Sequence, residues 1–475
     1  MSDAKSTAII QLSKGRKLLV QIGATCLTVS VACYGLALST LITPILEALD
    51  AMGYVGVFSI FAAIGVTIMT PIGGKLGDIF GRKAIVVIAG IACILCGIGT
   101  AYATNLPFLM VCRFGMGIAQ GAFVAAPYVI MGVVNEKKDV PKAMGYLAMA
   151  LAIGGFGGSI IAGILTDLGM LKAAILFPAI PLALGITLIG LLYPNDKSAG
   201  KVKIDTVGIL LLVIALFGIL LPLNGSALGL NNIICIAIFV VGIVGTAALL
   251  MYEGKQEHPV IPVKLFREKK YMAFVLVSFI CYFYRGAMDV YAALGAINVI
   301  GVSTSVTGTL QLPRTIVTMV LPAAAGVWVV KKSSNMWKAM AVATALSAFP
   351  MLAMGFTAQN TSFIIVYFVA ITITGIAESC RGVSITPAAQ RCLKPEDMGV
   401  GTSLITFGNT LSSSLAAAIY GAIYGAFTNP DPTNVDLMQK GINTVFLTAG
   451  IVMLVGLLLV LFVIRPMLEK EATAQ

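Results

Sequence analysis

Apolar runs of about 20 residues recur fourteen times in this chain, and each is long enough to cross a hydrocarbon layer of about 30 Å. Their approximate bounds are 18–44, 53–73, 84–103, 106–134, 142–165, 172–193, 204–223 and 231–252, then 271–299, 306–330, 337–357, 361–387, 398–427 and 442–464. Lipid offers no water to backbone amides, so a spanning segment must be a helix or part of a closed barrel. A barrel shows short segments of alternating polarity, whereas these runs are continuous. Composition agrees, since charged residues make up 11% of the 475 positions and hydrophobic ones 59%. So little charge cannot cover a water-facing surface of this size. The chain is read as an all-α membrane protein. Gly154, Gly158, Pro178, Pro222 and Pro322 fall inside the runs, where neighbouring helices can satisfy the backbone groups they free.

Fourteen crossings place both termini on one side, and the basic residues test that count. Of the 31 Lys and Arg, 25 fall in tails and loops on the terminal side, among them Lys14, Arg16, Lys137, Lys203, Lys269, Lys331, Arg391 and Arg465. Only Lys172 and Lys440 fall on the opposite side, and four arginines lie within spans. That bias follows the positive-inside rule, so both termini are expected in the cytoplasm and the chain in the inner (cytoplasmic) membrane. It also explains the net charge of +11 without nucleic acid, because short loops carry the charge and no domain presents it. No leader is expected, since no small-residue cleavage pattern follows Lys14-Gly15-Arg16-Lys17. Eight of nine cysteines lie within spans and Cys392 in a loop, so no disulfide framework is expected.

The longest internal hydrophilic stretch, 253–270, holds Pro259, Pro262 and the single histidine, His258. It reads as a cytoplasmic linker. A second polar link, 196–203, precedes a helix pair poor in polar residues. The expected organisation is a six-helix bundle over 1–195, an inserted helix pair over 196–252, the linker, and a second six-helix bundle with its tail over 271–475. Transporters built from repeated bundles place their sites near the bilayer midplane and alternate access by rocking.

The segment Gly74-Lys75-Leu76-Gly77-Asp78-Ile79-Phe80-Gly81-Arg82-Lys83 lies between spans two and three. It resembles the loop motif of the major facilitator superfamily. With the six-plus-two-plus-six layout and Pro259-Val-Ile-Pro262-Val-Lys-Leu-Phe-Arg267 before span nine, the chain is similar to the fourteen-helix drug:proton antiporter branch. Gly74, Gly77, Asp78, Gly81, Arg82 and Lys83 are candidates for a conformational latch: glycines let helix ends approach, and Asp78 and Arg82 can form charge-assisted contacts. The resemblance implies that Arg113 in span four takes part in coupling. In span five, Gly154-Gly-Phe-Gly-Gly158-Ser-Ile-Ile-Ala-Gly163 resembles the branch's glycine-rich motif, with Ser159 in place of a proline and Ala162 in place of a glycine. Gly154, Gly158 and Gly163 are read as helix-packing positions. The acid that many drug antiporters carry in span one is absent, and Tyr34-Gly35 occupies that region.

Six ionisable residues fall within spans: Arg113, Arg285, Asp289, Arg314, Glu378 and Arg381. Each central Arg or Asp opposes insertion by about 2.5–3.5 kcal/mol, so these side chains must face the protein interior or water. Helical spacing extends them into polar stripes with Gln120, Tyr282, Gln311 and Asn409. Arg113, Gln120, Tyr282, Arg285, Gln311, Arg314, Arg381 and Asn409 are the candidate cavity residues. Arg285/Asp289 and Glu378/Arg381 are spaced to pair within one helix and could serve structure alone. That leaves Arg113 and Arg314 without evident acids, a surplus that an anionic substrate group or an acid shared between helices would resolve. Asp289, then Glu378, is the candidate proton carrier; His258 is read as a solvated loop residue.

These features predict a proton-coupled secondary transporter of a small amphipathic organic molecule working by alternating access, and the surplus of arginine favours a carboxylate-type anion. The alternative is multidrug or antibiotic efflux by drug:proton antiport. An enzyme is not expected, because the chain shows no nucleotide loop, metal-ligand cluster or nucleophile–base set. A channel is disfavoured by the lack of a repeated filter. The expected partners are a small-molecule substrate, protons and the lipid bilayer, with no cofactor or metal, in a monomer.

Overall fold

The computed structural model describes residues 12–136, 140–194, 205–225, 228–256, 263–332, 334–357, 361–393, 398–429 and 431–473. Long helices follow the apolar runs. In the first half they are α1 (Lys14–Thr40), α2 (Val55–Phe80), α3 (Arg82–Ala101), α4 (Leu106–Val134), α5 (Val140–Asp167) and α6 (Leu171–Leu192). Then come α7 (Thr206–Leu220) and α8 (Asn232–Glu253). The second half holds α9 (Lys269–Asn298), α10 (Leu312–Lys331), α11 (Ser334–Phe356), α12 (Thr361–Arg391), α13 (Met398–Thr428) and α14 (Val435–Leu459). Among the described residues, 13 helices are long and apolar enough to cross a membrane. α10, together with a short helix at Thr304–Thr309, occupies the expected run 306–330. The protein is a multi-pass membrane protein.

Breaks within the helices have local causes. α4 is interrupted at Val124–Ala125 before Pro127, and α6 at Phe177–Pro178. α14 begins at Val435, earlier than the expected 442, because the Asn434 side chain accepts from the Asp436 and Leu437 amides and caps it. Lys440, expected in a loop, therefore lies inside the helix.

Within the first half α1 packs on α5 and α6, α2 on α4, and α3 on α4 and α6. The second half repeats the theme, with α11 against α12 and α14, α10 against α12, and α9 against α12, α13 and α14. Gly154 and Gly158 allow the α1 contact, since a Cβ on either would overlap the Val29 or Cys33 backbone. α7 and α8 cross at Gly218 and Gly242, again backbone to backbone. Through α7 this pair leans on α2 and α13, and the buried Asn224 donates to the Ala418 carbonyl at 2.8 Å. α8 turns Ile233, Ile236, Val240, Val244 and Met251 outward, as a helix against lipid would.

The two halves meet along α2–α13 and along α5 with the Thr304–Thr309 helix and α10. Gly56 faces Gly421, Gly163 faces Thr304 and Ser305, and Gly308 faces Ser159 with no room for a side chain. Thr67 and Ser414 share a hydrogen bond at 2.6 Å. Asp167, at the end of α5, accepts from the Thr304 amide at 3.2 Å, the Ser305 amide at 3.1 Å and the Ser305 hydroxyl. It thus clasps a helix N-terminus of the opposite half. By the alternation of helix directions these contacts run from mid-depth to the end remote from the chain termini.

Candidate functional site

Three helices of the second half bring five intramembrane charges together. Arg314 of α10 is the centre: its Nη1 is bonded to Asp289 Oδ1, while Nε and Nη2 donate to Glu378 Oε2 at 3.2 and 3.1 Å. Arg381 Nη2 donates to Glu378 Oε1 at 3.1 Å. Arg285 reaches the same two acids more loosely, Nε at 3.6 Å from Asp289 Oδ2 and Nη1 at 3.5 Å from Glu378 Oε1. The Tyr284 hydroxyl donates to Glu378 Oε2 at 3.4 Å.

Arg314, which had no evident acid on its own helix, is met by acids from other helices, the second of the two resolutions left open: α9 and α12 each supply one. Spacing along one helix cannot reveal a partner on another. The expected same-helix pairs Arg285/Asp289 and Glu378/Arg381 do form, but as outer arms of a network centred on Arg314. Such a network satisfies charges that would each be costly alone.

The backbone contributes as well. α9 is not a regular helix where the charges sit. After Phe283–Gly286 it widens into a π turn at Ala287–Tyr291, which carries Asp289, before resuming at Ala292–Asn298. Single π turns inside helices occur frequently at functional sites. Aromatic packing braces the turn, with Tyr291 against Tyr420 and Tyr424, and Tyr420 against Phe283. Tyr282 lies under Arg381, whose guanidinium carbon is 4.3 Å from the ring centroid, with that of Arg285 at 5.9 Å. Gln311 donates to the buried Tyr367 hydroxyl at 3.0 Å, one turn from Arg314.

The remaining predicted residues do not join this cluster. Arg113 is buried on α4, its guanidinium carbon 4.3 Å from the Phe58 ring centroid, and its Nε has no hydrogen bond among the described residues. Gln120, two turns on, points at Cys93 Sγ at 3.9 Å. Asn409 accepts from Ser278 at 2.7 Å and so ties α13 to α9. At the loop motif, Gly81 separates α2 from α3 with φ of 92°, a conformation that favours glycine. Among the described residues, a Cβ at Gly74 would meet open space and one at Gly77 the Arg82 side chain. Arg82 and Lys83 open α3, and the Asp78 side chain, like His258, lies outside the described residues. Gly163, by contrast, lies on the seam between the halves. Sequence reasoning missed Tyr284, Phe58 and Asp167. A tyrosine or phenylalanine on an apolar helix gives no distinguishing signal, and Asp167 acts only through a segment 137 residues away.

Comparison with known proteins decides the family: the profile described as Major Facilitator Superfamily matches residues 22–417, most of the chain. The chain belongs to the Major Facilitator Superfamily. Membership places it among transporters rather than enzymes. The chain is 21% identical over 356 residues to the multidrug transporter protein MdtP of Bacillus subtilis (strain 168), covering 73% of this chain and 64% of that protein. To the quinolone resistance protein NorB of Staphylococcus aureus (strain MRSA252) it is 28% identical over 214 residues, 44% of this chain and 45% of the relative. The matches thus span about half to two thirds of these relatives' lengths. In fold, this superfamily member is similar to a POT family transporter solved in complex with 5-aminolevulinic acid, with a TM-score of 0.70 and 13% identity over 97% of this chain and 99% of that one. The nucleoside transporter NupG (D323A mutant) gives a TM-score of 0.66 at 10% identity, over 94% and 99%.

Proposed function

We propose that this superfamily member is a proton-coupled secondary transporter of a small amphipathic organic anion, working by alternating access in the inner membrane as a monomer. The observation that carries the reading is the charge count of the buried network. Among the described residues, Arg285, Arg314 and Arg381 face two acids, Asp289 and Glu378, leaving one excess cation in the second half. A substrate carboxylate would balance it. Asp289 is the proposed proton carrier, since it faces two arginines where Glu378 faces three. Both termini are taken as cytoplasmic, from the bias of Lys and Arg. The units are two bundles, 1–195 and 271–475, with the inserted pair 196–252 and the linker 253–270. In this frame the seam at Gly56–Gly421 and Asp167–Ser305 closes the outer side, and the motif around Asp78 and Arg82 acts as a latch in the opposite state.

The direct test is flux into proteoliposomes under an imposed pH gradient, screening organic carboxylates against lipophilic cations. Wild-type protein is expected to accumulate a carboxylate uphill, and an Asp289→Asn protein only to equilibrate it. Preference for cations, unaffected by Arg314→Gln, would overturn the anion reading. It would favour multidrug efflux by drug:proton antiport, the second reading, which the multidrug and resistance names of the relatives support.

A further inference from the structure

The three arginines of the network are not equivalent. Arg314 and Arg381 are 8% and 13% exposed at the side chain, and each holds an acid at 3.1 Å or closer. Arg285 is 37% exposed, and its two contacts, at 3.5 and 3.6 Å, are the longest in the cluster. Charge makes the same division. Without Arg285, the two inner arginines match Asp289 and Glu378 one for one, and every short contact remains. Arg285 is therefore the excess cation, and the acids keep their closest partners if it moves away.

We propose that Arg285 is the exchangeable ligand of the site: its guanidinium leaves Asp289 and Glu378 to take the carboxylate of an organic monoanion, while Arg314 and Arg381 hold the acids in place. The proposal rests on the anion reading above and adds which side chain the substrate engages. The exchange gives up two loose contacts and gains a bidentate pair, for which a guanidinium has the right fork. The neighbouring groups suit an apolar body on that anion. Tyr282 is half-buried beside Arg285, its ring centroid 5.9 Å from the guanidinium carbon, and offers an aryl group a face to stack on.

The test uses the full-length protein in detergent with 1-naphthoate as the probe and 1-naphthamide as its neutral isostere. Wild type is expected to bind naphthoate at least 10-fold more tightly than naphthamide. Arg285→Gln is expected to remove that preference while leaving naphthamide affinity within about 2-fold, and Arg285→Lys to restore part of it. Thermal unfolding needs no ligand: Arg285→Gln should shift the midpoint far less than Arg314→Gln. A wild type that does not prefer the carboxylate, or binds neither probe, sinks the anion reading and this proposal with it. A preference that survives in Arg285→Gln, or that is lost in Arg113→Gln instead, leaves the anion reading standing and overturns only the role of Arg285. Destabilisation of Arg285→Gln as large as that of Arg314→Gln also overturns it.

Discussion

The interiors of the two halves are built on opposite plans. In the first, Arg113 rests on Phe58, in a bundle joined largely by glycine crossings such as Gly154 and Gly158. In the second, α9, α10 and α12 are linked by five charges around Arg314, although Arg381 Nε, like Arg113 Nε, has no hydrogen bond among the described residues. Close backbone packing, rather than paired charge, joins the helices of the first half. The second half depends on its charges both for its integrity and for any chemistry it performs. Pseudo-symmetric bundles need not share the labour equally.

The sharpest way to break this contrast is Glu378→Gln, which removes the acid that all three arginines touch. The expected cost is about 3–5 kcal/mol, because buried Arg381 loses its acid and Arg314 is left with Asp289 alone, together with loss of transport; denaturant titration in detergent and flux assays measure both. The seam comes next. Asp167→Ala removes two amide bonds and one hydroxyl bond from a carboxylate, and should weaken closure of the remote end by about 1.5–3 kcal/mol. Spin-label distances across that end should then show a larger open population, with global stability nearly intact. A smaller effect is expected from Asn409→Ala, about 1 kcal/mol for the lost bond from Ser278, with transport retained. Arg113→Gln should cost least in stability, within about 0.5 kcal/mol of wild type or slightly above it, because no partner is stranded. A collapse of Arg113→Gln matching that of Glu378→Gln would erase the distinction between the halves.

Much of this architecture was readable from the sequence because lipid imposes a length and a polarity on every span. α10 shows this well: Arg314 sits in a run that is otherwise apolar enough to read as a span. The identity of the intramembrane charges was legible for the same reason, a charge in lipid being too costly to be incidental. Their pairing was not. Arg314 meets Asp289 and Glu378 only after three helices have been packed together, and helical periodicity carries no information about that. Asp167 was equally hidden, because an acid at a helix end looks like an ordinary polar boundary until the amides of Thr304 and Ser305 arrive.

The wide turn at Ala287–Tyr291 has a consequence for how kindred chains should be compared. A π turn holds one residue more than the α turn it replaces, and each residue of a helix advances its direction by about 100°. Deleting a single residue from this stretch would restore ordinary winding and leave the rest of α9 in phase, yet swing the side chain at position 289 away from Arg314. Gap-free alignment through this helix can therefore set an unrelated residue opposite Asp289, and a chain that lacks the acid on paper can still carry it one position away.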